Sequence, residues 1–132
     1  MADPQSKPNR FVLAAIADLF FLVQVKDAAN RVGLDVKNAQ NLDALATLTA
    51  KGPAMVVVDL HCAKLDPVNT IRKLKTDLGG VPIVAFLSHV EVALGQSAKE
   101  AGADIVVPRS AFLKALKEAL GSLPPPADTL PA

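Results

Sequence analysis

Asp59 is the residue in this chain best placed to do chemistry. It closes the run Met55-Val56-Val57-Val58 and is followed by Leu60. A carboxylate at the end of so apolar a stretch is costly to bury without a partner, so it should emerge at an edge and meet a counter-charge. Asp18 ends an earlier apolar run, Phe11–Ala17, in the same way. Two carboxylates at one edge repel each other and call for a divalent cation or a basic side chain. Arg109, after the last apolar run, can supply the cation, and Ser88, after the run Pro82–Leu87, a hydroxyl. A carboxylate beside a metal and a fixed cation is suited to accept a phosphoryl group, because both positive charges absorb charge developing on the transferring group. A plainer alternative stays open. Asp59 caps the next helix or pairs with Arg109 in a structural ion pair, and Ser88 caps a helix.

The elements that must position these residues follow from the pattern of apolar runs. Phe11–Ala17, Met55–Leu60, Pro82–Leu87 and Ile105–Val107 are continuous and not alternating, which suits strands covered on both faces. Asp35–Ala39 is a weaker fifth strand. The intervening segments read as helices. Phe20–Val32 sets Val25, Ala28, Ala29 and Val32 near one stripe; Phe20 and Phe21 read as core. Leu42–Leu48 follows Asn41, an N-cap type. Val68–Leu78 follows Pro67 and spaces Ile71, Leu74 and Leu78 by three and four. Val90–Ala101 ends against Gly102, and Ala111–Leu120 runs from the N-cap type Ser110 to Gly121. Strand followed by helix, five times over, predicts a three-layer α/β/α sandwich on a five-stranded parallel sheet. In that architecture the functional crevice lies at the carboxyl ends of the strands, where Asp18, Asp59, Ser88 and Arg109 are expected.

Composition narrows the class. The chain has 132 residues, 51% of hydrophobic type and 20% charged, which excludes a disordered protein. Lys plus Arg is 14 against 13 for Asp plus Glu, with no basic arm, so nucleic-acid binding is not expected. One cysteine excludes an internal disulfide, and two histidines argue against a zinc site. The start is polar and proline-bearing, unlike a signal peptide, and no apolar run is long enough to span a membrane; the expected location is the cytoplasm. Proline clusters predict a loose tail over 1–9 and an extended tail or linker stub over 122–132, leaving 10–121 as the domain. Cys62 and His61 could be imagined as a nucleophile pair, but no third, orienting residue is evident. Arg72, Lys73 and Lys75 read as a solvated helix face.

The stretch Val56-Val57-Val58-Asp59-Leu60, then Leu65-Asp66-Pro67 and a helix, resembles the phospho-acceptor region of response-regulator receiver domains, the CheY-like family. The run Val81–Phe86 and the stretch Ala98–Val107, above all Ala101-Gly102-Ala103-Asp104, are similar to the family's fourth and fifth units. The resemblance spans nearly all of 10–121 and implies the flavodoxin-like strand order 2-1-3-4-5. It makes Asp59 the phospho-acceptor and Arg109 the site cation in place of a lysine, with Ser110 where a proline usually follows. It implies weak Mg²⁺ binding by Asp18, Asp59 and the backbone carbonyl of His61, because Ala17 stands where a second acidic residue is usual. The usual hydroxyl position aligns with Leu87, one place before Ser88. The switch aromatic aligns with Val106. Ala63 and Pro67 stand for the loop's usual proline and glycine.

Several departures around one site imply an atypical receiver whose phosphorylation switch is altered or lost. The expected role is a non-enzymatic interaction module in two-component phosphorelay signalling, bound to a histidine kinase or other signalling protein or paired as a homodimer. The alternative is a working receiver that takes a phosphoryl group on Asp59 from a histidine kinase with Mg²⁺.

Overall fold

The computed structural model describes residues 10–87 and 91–123. Five strands, β1 (Phe11–Ala15), β2 (Asp35–Asn38), β3 (Met55–Asp59), β4 (Ile83–Leu87) and β5 (Ile105–Pro108), form one sheet in the order β2-β1-β3-β4-β5. Every pairing is parallel. Five helices connect and follow them: α1 (Leu19–Asn30), α2 (Leu42–Ala50), α3 (Pro67–Leu78), α4 (Val92–Ala101) and α5 (Arg109–Gly121). Both the predicted class and the predicted strand order are found.

The three central strands are buried along their whole length, which is why their sequences read as unbroken apolar runs. Side chains alternate between two cores. Val12, Ala14, Met55, Val57, Val84 and Phe86 pack with α1 and α5 on one face. Phe11, Leu13, Val56, Val58, Ile83 and Ala85 pack with α2, α3 and α4 on the other. Asp59, two residues after Val57, falls in the alternation that faces α1 and α5.

Helix boundaries follow local chemistry. Asn41 caps α2, its Oδ1 accepting from the Ala44 N–H at 2.8 Å. Gly102 ends α4 at φ 125°, a backbone conformation that disfavours side chains. Three expectations shift. The first strand ends at Ala15 and not at Ala17, because Ile16 turns to the Asn38 side chain: its N–H donates to Asn38 Oδ1 at 3.0 Å, and Asn38 Nδ2 donates to its carbonyl at 3.2 Å. The last helix starts at Arg109, so Pro108 and not Ser110 sits at its cap. Phe20 is 75% exposed and outside the core, since its neighbours Phe21 and Leu22 are the ones that face the sheet. Ser122 and Leu123 apart, the expected tails lie outside the described residues.

The Ala101-Gly102-Ala103-Asp104 stretch is an architectural joint. Asp104 Oδ2 accepts from the Ile83 N–H at 2.8 Å, and the Asp104 N–H donates to the Ile83 carbonyl at 2.9 Å, pinning the start of β4. Lys75 on α3 reaches Asp104 Oδ1 at 3.4 Å, with its stem laid across Gly102.

Candidate functional site

Asp59 ends β3 with its side chain buried. Its Oδ1 accepts from the backbone N–H of His61 at 2.9 Å, and its carbonyl accepts from the Cys62 N–H at 3.0 Å. The chain therefore folds back over the carboxylate immediately after the strand. Burial, and then the negative charge of Asp59, push the Cys62 thiol up. A buried thiol held protonated is a poor nucleophile. The His61 ring, moreover, points to Glu91, Nε2 lying 3.2 Å from Oε2.

Asp18 does a different job from the one its position suggests. It is the N-cap of α1: Oδ1 accepts from the Phe20 N–H at 2.9 Å and from the Phe21 N–H at 3.3 Å. Its Oδ2 accepts from Arg109 Nη2 at 2.7 Å. Arg109 does not close on Asp59 as the ion pair weighed from sequence required. It is the first residue of α5, which lies against α1 on the same face of the sheet, so its reach ends at the α1 cap. Its guanidinium also stacks on the Phe21 ring, 4.7 Å from the centroid. Arg109 Nε is buried and has no hydrogen-bond partner among the described residues.

The Phe21 N–H acts most strongly on the Asp18 carboxyl and lowers it; desolvation opposes this, and the Phe20 N–H and then Arg109 add to the lowering, so the carboxyl lies below its ordinary value. A carboxyl lowered in the folded state stabilises the fold above its unfolded value, and that stability is lost as pH falls through the folded value, below about 4. Asp18→Asn keeps a capping oxygen but has no charge to lose. Its acid unfolding, followed by circular dichroism, is expected to show a shallower loss of stability below about pH 4 than the native chain.

Two of the groups expected to hold a metal have other partners in this structure. Asp18 is held by the α1 cap and Arg109. The His61 carbonyl accepts from the Ala63 N–H at 3.0 Å. Extending the pairing of Ala15 with Val58 by one residue sets buried, apolar Ile16 beside Asp59, and Ala17, at the usual second acidic position, brings no carboxylate either. Among the described residues no three His, Cys, Asp or Glu side chains are grouped to hold a cation. A hard divalent ion needs several oxygen ligands, and here Asp18 and the His61 carbonyl already accept other hydrogen bonds. Ser88 lies outside the described residues. Leu87, at the usual hydroxyl position, is buried in the core, and Val106 packs at the margin of the same cluster.

Sequence reasoning missed Asn38 and Glu91. Asn38 carried a signal, a polar residue ending a strand beside β1. Glu91 carried none, because its partner lies thirty positions away in another loop.

No family model and no curated protein matches the sequence. Solved structures do match in fold. A response regulator from Thermotoga maritima is 20% identical with a TM-score of 0.73, over 86% of this chain and 95% of that one. A response regulator protein from Burkholderia pseudomallei, described with a phosphorylated aspartic acid, calcium ion and citrate, is 22% identical with a TM-score of 0.74, over 86% and 67%. A CheY-like receiver domain protein from Methanospirillum hungatei is 17% identical with a TM-score of 0.71, over 85% and 94%. At these identities the likeness is one of architecture, and with the strand order, the acidic end of β3 and the Asp104 joint it makes the fold of this chain that of a response-regulator receiver domain.

Proposed function

We propose that this chain is a non-enzymatic signalling module on a receiver fold, cytoplasmic, that works by binding a histidine kinase or another signalling protein and not by taking a phosphoryl group. The observation that carries this reading is the engagement of Arg109 with Asp18. The one cation expected at the acceptor carboxylate is engaged by Asp18 instead. A phosphoryl group arriving at Asp59 would meet a buried carboxylate without the positive charge that stabilises transfer. A binding role is supported by the outward face of α1, where Leu19, Phe20 and Val23 are all exposed. Adjacent apolar side chains of that size are characteristic of interaction surfaces. Among the described residues no helix is long and apolar enough to cross a membrane.

The competing reading is a working receiver, favoured by the place of Asp59 at the end of β3. Incubation with acetyl phosphate and Mg²⁺, followed by intact mass, separates them. The expected result is no adduct. A labile phosphoryl adduct that disappears in Asp59→Asn would establish the working receiver instead.

A further inference from the structure

Helix α2 carries an apolar stripe that its own packing leaves partly uncovered. Leu42, Leu45, Ala46 and Thr49 recur at the three- and four-residue spacing that sets side chains on one helix face. Across from them α3 presents Thr70, Leu74 and Leu78. Two such stripes ordinarily close on each other. Here Leu45 is the one α2 residue that is buried, and Leu42 stays 55% exposed. The stripes instead line a groove of about 690 Å³. That falls in the range of small-molecule sites, roughly 300–1,000 Å³. The polar side chains along the groove already have partners. Thr49 Oγ1 donates to the Leu45 carbonyl at 2.7 Å, and Thr70 Oγ1 donates to the Leu65 carbonyl. Lys73 and Asp77 pair with each other, Nζ to Oδ2 at 3.2 Å, so this stretch of the lining carries both signs and no net charge.

We infer that the groove between α2 and α3 is a binding site for a small, uncharged, apolar molecule. Charge matching selects that class. A charged ligand would have to break the Lys73–Asp77 pair to find a counter-ion. A polar one would give up water without gaining a bond, since the threonine hydroxyls are taken by their own carbonyls. An apolar guest loses nothing comparable. It also supplies the dispersion contacts that Leu42, Leu74 and Leu78 lack on the open side. Water is a poor substitute there, because an ordered water needs several polar partners. The groove shares no residue with the Asp59 end of the sheet or with the exposed face of α1. The inference therefore goes beyond the binding role proposed above and does not rest on it.

The test is fluorescence titration of the full chain with N-phenylnaphthylamine, an uncharged apolar fluorophore, beside its anionic relative anilinonaphthalene sulfonate. The expected result is saturable binding of one uncharged probe per chain, with the sulfonate about tenfold weaker or more. Ala46 lines the groove from an exposed position, so Ala46→Phe sets a ring into it without disturbing the core. That variant should weaken binding by about tenfold or more. Should it fail to fold, Ala50→Phe, also exposed and lining, blocks the groove nearer the end of α2. Amide NMR with the same probe should move signals of α2 and α3 and leave Leu19 to Val23 unmoved. Absence of saturable binding, equal binding of the sulfonate, or affinity undiminished by the phenylalanine would each overturn the inference. So would probe shifts that map to α1. An affinity that falls as protein concentration rises would make a second copy the occupant instead, and displaced signals of 124–132 would make that segment the occupant; either overturns the inference. A phosphoryl adduct in the acetyl phosphate experiment would defeat the proposed function and leave this titration unaffected.

Discussion

Phe112→Ala is expected to destabilise the fold by about 3–5 kcal/mol, a large share of the stability of an ordinary domain. Phe112 comes from α5, is fully buried, and lies 4.6 Å from the Phe86 ring of β4 and 5.2 Å from the Phe21 ring of α1. Phe21 and Phe86 are themselves 4.8 Å apart. The three rings are tilted, the arrangement that aromatic quadrupoles favour, and join two helices to the sheet at one point. Removing the central ring opens a cavity that neither the sheet nor a packed helix can close. The Arg109 guanidinium, one helical turn before Phe112, then covers a Phe21 ring that has lost its support. Chemical denaturation followed by circular dichroism checks this. Phe112→Leu, which refills most of the volume, should lose markedly less, and Phe20→Ala, at an exposed position, should stay within about 0.5 kcal/mol of the native chain. A loss near that size for Phe112→Ala would contradict the packing described.

Gly102→Val is the second substitution with a large expected cost, from backbone and packing together. At φ 125° a β-branched residue is strained by about 1–3 kcal/mol. A Cβ there would also lie 2.7 Å from Lys75 Cγ and 3.0 Å from Lys75 Cβ. Those atoms belong to the root of the lysine and cannot yield by a turn of its tip, so a further ~1–3 kcal/mol of overpacking is expected. Swinging Lys75 aside breaks its contact with Asp104, the residue that pins the start of β4. Gly102→Ala should be milder but still destabilising. Its cost should fall when Lys75→Ala is combined with it, because the clash with Lys75 Cγ disappears while the approach to Cβ and the backbone part remain. Equal costs in the two backgrounds, measured by denaturation, would show that the lysine stem does not matter.

The architecture was legible because each central strand is buried on both faces and so leaves an unbroken apolar run. Met55–Val58 and Ile83–Phe86 could hardly be anything else. Capping chemistry was equally readable at Asn41 and Gly102, where one residue type answers one local need. Legibility failed where a side chain chooses between partners distant in sequence. Asp18 and Arg109 were both singled out, and they do meet, but Arg109 bypasses Asp59. That choice depends on α5 beginning one residue before Ser110, and on α1 lying beside it, neither of which a strand-end position encodes. Phe20 and Phe21 are adjacent and identical, so periodicity had to decide which enters the core; with no polar break before Gln24, the apolar stripe could not be phased. His61 shows the same limit: its place beside Asp59 was visible, its ring contact with Glu91 was not.

The Asp18–Arg109 pair spans 91 positions, and the aromatic trio beside it likewise needs residues from both ends of the fold. During synthesis the α1 face of the sheet therefore stays unfinished until the last helix leaves the ribosome. Loop closure of that length precedes any reward from the contacts it permits, which slows folding. Until then Phe21 and Phe86 lack their third ring, and a chain stopped short of α5 would expose them. Nascent chains of this protein should accordingly depend on chaperone protection until Phe112 emerges.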